Sequence, residues 1–426
     1  MKKDLLHTPE GVRDIYGNEC AKRIVLQERL RDVCKTYGYS DIQTPSIEFF
    51  DVFSRERGSV PSNEMFKMFD RYGNTLCLRP DMTPSIARAT AKYFEDHILP
   101  VKLCYIGNTF INTSKYYQGK LKESTSIGAE LIDDDSIYAD LEIISMVIDC
   151  MKNAGITEFQ VEIGNVAFFK GLLSEAGVGA EDEEELVELI QNKNYFGVEE
   201  LLNSLDIDKH IAEVLLELPQ MFGSVEILNK ARELTNIKSC NEAVNRLIRL
   251  YELLKLTGYE NFVSFDLGEI TSHAYYTGIV FHAYTFGTGE PVIIGGRYDK
   301  LIGQFGKAKP SIGFSINVDN LMMAIDRQNI KIPVDINGYL IVFNESNLND
   351  AIKLSSHIRA TGSPALMISY NDAKSIEQYV IYATNSQLSK ICFITDDYIK
   401  DGVKIINCKD MSEERRSFAD MLGGNN

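Results

Sequence analysis

Hydrophobic residues recur at helical spacing in some stretches of the chain and at alternate positions in others, and this rhythm predicts the elements. Residues 21–37 place Leu26, Leu30, Val33, Cys34 and Tyr37 on one helical face, and Gly38 stands where such a helix would stop. The segment 39–45 then reads as a strand that ends at Pro45, and 76–79 and 101–106 as further short strands. Leu141, Ile144, Ile148 and Met151 form a second helical stripe, closed by Gly155. Residues 159–163 alternate cleanly and predict a strand.

The pattern changes between about 170 and 256. The segments 181–185, 198–202 and 211–217 read as short amphipathic helices, with the acidic run at 181–185 as a solvated first turn favoured by the helix dipole. Strand signals return at 262–267, 279–284 and 292–294, followed by a Gly-Gly-Arg-Tyr-Asp turn at 295–299. The segment 311–317 leads into a helix. Beyond 330, strands at 339–343, 365–370, 390–395 and 403–406 alternate with helical stretches, one marked by Ile376, Val380 and Ala383. That alternation predicts a small β-α-β-α-β domain with a largely parallel sheet. The expected organisation is therefore a body at 1–169 and 257–328, a helical insertion at 170–256, and a C-terminal α/β domain at 331–426. The body is expected to be α+β with antiparallel strands.

Composition narrows the function classes. With 44% hydrophobic and 25% charged residues in 426, the chain matches a soluble globular protein of two or three domains. No stretch is long and apolar enough to span a membrane, and the first residues lack the apolar core of a signal peptide, so a cytoplasmic location is expected. Cys20, Cys34, Cys77, Cys104, Cys150, Cys240, Cys392 and Cys408 lie far apart, without metal-ligand spacing. They are expected to be reduced thiols, and no metal or cofactor is implied. A net charge of −17 lowers the expectation of nucleic-acid binding, which rests on Lys and Arg against phosphates.

Six segments carry a family resemblance: Pro9-Glu-Gly-Val-Arg-Asp14, Leu78-Arg-Pro-Asp-Met-Thr83, Tyr105-Ile-Gly-Asn-Thr-Phe110, Tyr275-Tyr-Thr-Gly-Ile-Val-Phe281, Gly295-Gly-Arg-Tyr-Asp299 and Ile312-Gly-Phe-Ser-Ile316. Their order and spacing resemble the class II histidyl-tRNA synthetase body over essentially the whole chain. The resemblance implies an antiparallel sheet holding the active site, a helical insertion and an anticodon-binding-like C-terminal α/β domain. It also implies a dimer formed through the first motif, around Thr44-Pro45.

Such an enzyme needs arginines to offset the charge that builds on the α-phosphate of ATP. Where the family has an arginine after the phenylalanine of the second motif, this chain has Ile111, followed by Asn112 and Thr113. The arginine of the third motif is replaced by Asn320, and the histidyl-specific arginine by Thr271. Losing one preorganised donor slows a reaction by about 10²–10³-fold, so no synthetase activity is expected. Lys115, Lys120 and Lys122 stand nearby, but lysine does not reproduce a bidentate guanidinium.

The amino-acid side of the resemblance is fuller. Asp81 matches the carboxylate that meets the α-amino group, with Thr83 beside it, and Glu130 matches the acid facing the imidazole. Tyr275 and Tyr276 match the paired tyrosines, whereas Ser126 replaces a glutamine and His273-Ala274 a residue pair ending in aspartate. Two readings stay open: a pocket for a cationic aromatic amino acid, or inherited packing with no ligand. His273 is read as structural.

The segments Arg79–Arg88, Leu218–Gly223 and Ser264–Gly268 more closely resemble the regulatory subunits of short-form ATP phosphoribosyltransferase, non-catalytic paralogues of the synthetase. That resemblance implies a separate catalytic subunit as partner, in the first step of histidine biosynthesis, with histidine as effector. Two alternatives are a histidine–tRNA ligase and a paralogue that senses histidine or tRNA for another partner. tRNA binding is not expected, since residues 331–426 carry ten Lys and Arg against twelve Asp and Glu.

Overall fold

The structure, a computed structural model, describes residues 6–54, 60–113, 121–191, 194–205, 207–269, 275–334, 337–396 and 398–423. Its contacts divide into two compact units. The first comprises Leu26–Lys331 with the start of the chain up to Arg13, and the second Asp14–Val25 with Ile332 onwards.

In the first unit the strands are β1 Ser40–Asp41, β2 Ile47–Phe49, β3 Lys67–Phe69, β4 Thr75–Leu78, β5 Val101–Phe110, β6 Glu123–Ile132, β7 Phe159–Asn165, β8 Phe222–Gly223, β9 Val263–Asp266, β10 Ile279–Thr285, β11 Ile293–Arg297 and β12 Ser311–Asn317. Nine of them form one sheet in the order β1-β5-β6-β12-β11-β10-β7-β9-β8, while β2, β4 and β3 form a small second sheet. From β5 through to β7 every neighbouring pair is antiparallel. The fold is α+β, as the sequence leads one to expect.

The helix Ile137–Asn153 is buried on most of its circumference, because Ile143, Ile144, Met146, Val147, Ile148 and Met151 all lack solvent contact. Ser136 caps its start by accepting a hydrogen bond from the Ala139 amide. Gly155 follows its end at φ +87°, a conformation that favours glycine. Between β7 and β9 lie helices Val166–Ala176, Ala180–Gln191, Tyr195–Ser204, Lys209–Glu217, Glu226–Leu234 and Lys238–Thr257. The acidic run opens the second of these, with Glu181, Asp182 and Glu183 in its first turn.

Three local expectations need correction. The segment 39–45 pairs only at Ser40 and Asp41, parallel to β5. Beyond that point the carbonyls of Thr44 and Pro45 accept from the Arg79 guanidinium, at 2.7 and 3.3 Å, instead of from a neighbouring strand. Strand β5 runs on to Phe110, past the expected end at 106, because the polar residues Gly107, Asn108 and Thr109 stay in register with Ser126, Thr125 and Ser124. Gly295, Gly296 and Arg297 are not a turn but the second half of β11. A Cβ at Gly295 would lie 2.2 Å from the Phe281 ring, and one at Gly296 2.8 Å from the Tyr276 ring. The glycines give the rings room.

The second unit holds β13 Tyr339–Phe343, β14 Ala365–Ser369, β15 Lys390–Ile394, β16 Val403–Asn407 and β17 Glu413–Arg416 in the order β14-β13-β15-β16-β17. The first two pairings are parallel and the last two antiparallel, so the largely parallel sheet expected is only half so. A parallel return needs a crossover of about a dozen residues or more, and the eight residues 395–402 between β15 and β16 are too few. The helix Ile376–Asn385 starts on a capping box made by Ser375 and Gln378.

Candidate functional site

Strands β5, β6 and β12, the helix Thr83–Tyr93 and residues 275–298 surround a cavity of about 440 Å³ in the first unit. Asp81, Thr83, Ser126, Glu130, Tyr275 and Tyr276 all line it. Glu130 lies on β6 between Leu103 of β5 and Gly313 of β12. A Cβ at Gly313 would stand 1.7 Å from Glu130 Oε2, so glycine there is what leaves room for the carboxylate.

The two carboxylates are held by different donors. Glu130 Oε1 accepts from the Thr83 hydroxyl at 2.8 Å, and its Oε2 from the Tyr298 hydroxyl at 2.6 Å. Asp81 Oδ2 accepts from the Tyr275 hydroxyl at 3.0 Å, and its Oδ1 from the Thr83 amide at 3.2 Å. Tyr275 meets Tyr276 edge-on, with centroids 4.9 Å apart, and Tyr298 at 6.1 Å. Only 1% exposed, Glu130 has its pKa pushed up to about 8 by burial; the hydrogen bonds from Tyr298 and Thr83 oppose that rise and the charge of Asp81 adds to it. Burial likewise pushes the phenols of Tyr275, Tyr276 and Tyr298 up, so all three stay protonated and able to donate.

Tyr298 was not singled out from the sequence, although it closes the network on Glu130. Its signal was its place in Gly295-Gly-Arg-Tyr-Asp299, which a turn reading hid.

The far part of the cavity holds Glu290 and no described cation where a phosphate would need one. Ile111 and Asn320 both line it, and no Lys or Arg is among its described lining residues. The Asn320 side chain donates to the Pro291 carbonyl at 3.3 Å, and neighbouring Asp319 accepts from the Thr125 amide at 3.1 Å. Thr271, His273, Ala274, Lys115 and Lys120 lie outside the described residues. The stem of Lys122 packs against Gly11, whose φ of +83° suits the turn after Pro9-Glu10.

The arginines within the motifs are engaged elsewhere. Arg79 donates to the carbonyls of Asn108, Thr44 and Pro45, joining the turn before β2 to β5. Arg297 grips Asp140 through Nε and Nη2, at 3.0 and 2.5 Å, and Arg246 reaches the other oxygen of the same buried carboxylate at 2.6 Å. These pairs hold β11 and helix Lys238–Thr257 to helix Ile137–Asn153.

A larger cleft of about 740 Å³ opens in the second unit beside the ends of β13, β14 and β15. Its Lys404 is paired with Glu413 at 2.7 Å and its Arg415 lies 3.8 Å from Asp401, so those charges are compensated within the unit.

Known proteins share this fold. The family profile described as histidyl-tRNA synthetase matches residues 11–321. The chain is 36% identical to the ATP phosphoribosyltransferase regulatory subunit of Acetivibrio thermocellus, over 98% of each. It is also 36% identical to that of Ruminiclostridium cellulolyticum, over 99% of each. Among solved structures it is similar to an ATP phosphoribosyltransferase regulatory subunit/histidyl-tRNA synthetase of Bacillus halodurans, with TM-score 0.80 and 28% identity over 92% of this chain and 98% of that one. The histidyl-tRNA synthetase of Nostoc, at TM-score 0.79 and 18% identity over 98% of each chain, shares the fold. No helix among the described residues is long and apolar enough to cross a membrane.

Proposed function

The chain belongs to the ATP phosphoribosyltransferase regulatory subunits, within the histidyl-tRNA synthetase family, and we propose on that premise that it activates a separate catalytic chain and performs no reaction of its own. Its partner is the short catalytic subunit that condenses ATP with phosphoribosyl pyrophosphate, and histidine is the effector whose binding here lowers that rate.

One observation carries this reading. The same cavity keeps two carboxylates and three tyrosines at one end, and at the other has Ile111 and Asn320, at positions where the resemblance to the synthetases implies arginines. An ammonium and an imidazole suit the first set of groups: Asp81 meets the α-amino group of histidine, and Glu130 faces its ring. No described lining residue at the other end offsets the charge that an adenylate-forming transition state builds. A ligase is therefore the poorer reading.

Feedback follows from linkage. If histidine binds the inhibited complex more tightly than the active one, substrates must weaken histidine binding by the same factor. The test is the phosphoribosyltransferase rate of the short catalytic subunit alone, with this chain, and with added histidine. A rise on mixing that histidine reverses supports the proposal. No change in rate and no co-elution would sink it.

A further inference from the structure

Towards the β9 edge of the main sheet, on the face that also carries Glu130, strands β7, β9 and β10 gather a second set of polar groups. His282 of β10 faces Glu162 of β7 across the ladder, and Glu162 pairs with Ser264, two residues before Asp266 at the end of β9. Glu269 follows after a turn in which the Gly268 amide donates to Asp266 Oδ1 at 2.8 Å. One carboxylate oxygen from each of Glu162, Asp266 and Glu269 lies within 4.8 Å of the other two. That is the spread of oxygens around one divalent ion, whose metal–oxygen distances run from roughly 2.0 to 2.6 Å. None of these residues lines the cavity.

His282 supplies the independent observation. It is only 8% exposed, and its Nδ1 makes no hydrogen bond although it stands 3.3 Å from Glu269 Oε1. A buried ring nitrogen without a hydrogen bond is unusual and destabilising, and this one is turned towards the carboxylates. Tyr284, on the same face, has its phenol pushed up first by burial and then by the charges of Glu269, Glu162 and Asp266, so the local potential is negative.

We propose that Glu162, Asp266, Glu269 and His282 form a divalent-cation site joining β7, β9 and β10. Three carboxylates with one imidazole suit ions that accept both oxygen and nitrogen, such as Mn²⁺ or Zn²⁺, better than Mg²⁺.

The probe is Mn²⁺, titrated into the full chain and followed by electron paramagnetic resonance. Saturation at one equivalent is expected, with nitrogen coupling from the His282 ring and release of Mn²⁺ by competing Zn²⁺. Glu269→Gln should weaken binding at least about tenfold, since even outer-shell changes at metal sites weaken binding by 10–100-fold. His282→Gln should remove the nitrogen coupling. Should Glu269→Gln fail to fold, Glu162→Gln takes its place, with circular dichroism checking the fold. The proposal is overturned by the absence of saturable Mn²⁺ binding, by saturable binding without nitrogen coupling, or by binding unchanged in both carboxamide variants.

Discussion

The two ends of the cavity in the first unit share strands but not chemistry. Ser124 and Glu130 both line it and stand roughly 20 Å apart along β6, at about 3.3 Å per residue. Around Glu130 a hydrogen-bonded network joins Thr83, Tyr298, Asp81 and Tyr275. Around Ile111 and Asn320 no described cation lines the wall. The fold holds both ends equally well. Catalytic ability therefore turns on a few side chains, while the backbone can remain that of a synthetase.

The harshest way to break the first end is Gly313→Ala. The added Cβ meets Glu130 Oε2 at 1.7 Å and the Ala129 carbonyl at 2.6 Å, and neither backbone strand can yield easily. Unfolding free energy should fall by about 3 kcal/mol, the upper range for overpacking, and histidine binding should be lost; denaturant titration and calorimetry read the two. Glu130→Gln is gentler. It exchanges one acceptor oxygen for an NH2 donor and removes the charge that Glu130 carries above about pH 8, so histidine affinity measured above that pH should drop about 30-fold, equivalent to about 2 kcal/mol. Equal affinity in calorimetry would show that the ring does not face Glu130.

The same residue sets a pH dependence. Its folded pKa of about 8 lies above the ordinary 4.5, so between those values the folded chain keeps a proton that the unfolded chain has lost. Its contribution to stability is complete below about 4.5 and declines as pH rises to about 8, by at most about 1.4 kcal/mol per unit. Thermal melts at pH 5 to 8 should show that decline, and Glu130→Gln should flatten it. A slope unchanged by the substitution would place the titration elsewhere.

The smallest effect sharpens the other end. Ile111→Arg adds a guanidinium at one of the three positions where the resemblance implies arginines, and histidine affinity should stay within about twofold, since a charge at a distance contributes little. Exchange of pyrophosphate into ATP should remain undetectable, because one donor alone leaves the α-phosphate charge largely uncompensated.

Much of this was legible in sequence because periodicity reports burial. Ile144, Ile148 and Met151 were readable as a buried stripe, and most of the expected strands lie within a few residues of observed ones, whereas β2, β3, β8 and the β6 that carries Glu130 were not foreseen. What escaped was decided by contacts distant in sequence. Gly295 and Gly296 look like a turn until Phe281 and Tyr276 are seen to need their space. Tyr298 gains its role only because β11 carries it beside Glu130, 168 residues away. The strand β17, Glu413–Arg416, has four charged and exposed residues and no hydrophobic alternation to announce it. Arg79 and Arg297 could be seen as motif members, but only the structure shows them spent on carbonyls and on Asp140.

The most direct test of the contrast between the two ends is a pair of calorimetric titrations of this chain, with histidine and with a non-hydrolysable histidyl-adenylate analogue. The expected result is that histidine binds and the adenylate gains nothing over it, since the phosphate would meet Ile111 and Asn320 instead of arginines. An adenylate bound about 100-fold or more tighter than histidine, the least gain a site complementary to the reaction would show, would contradict that and restore a catalytic reading of the site.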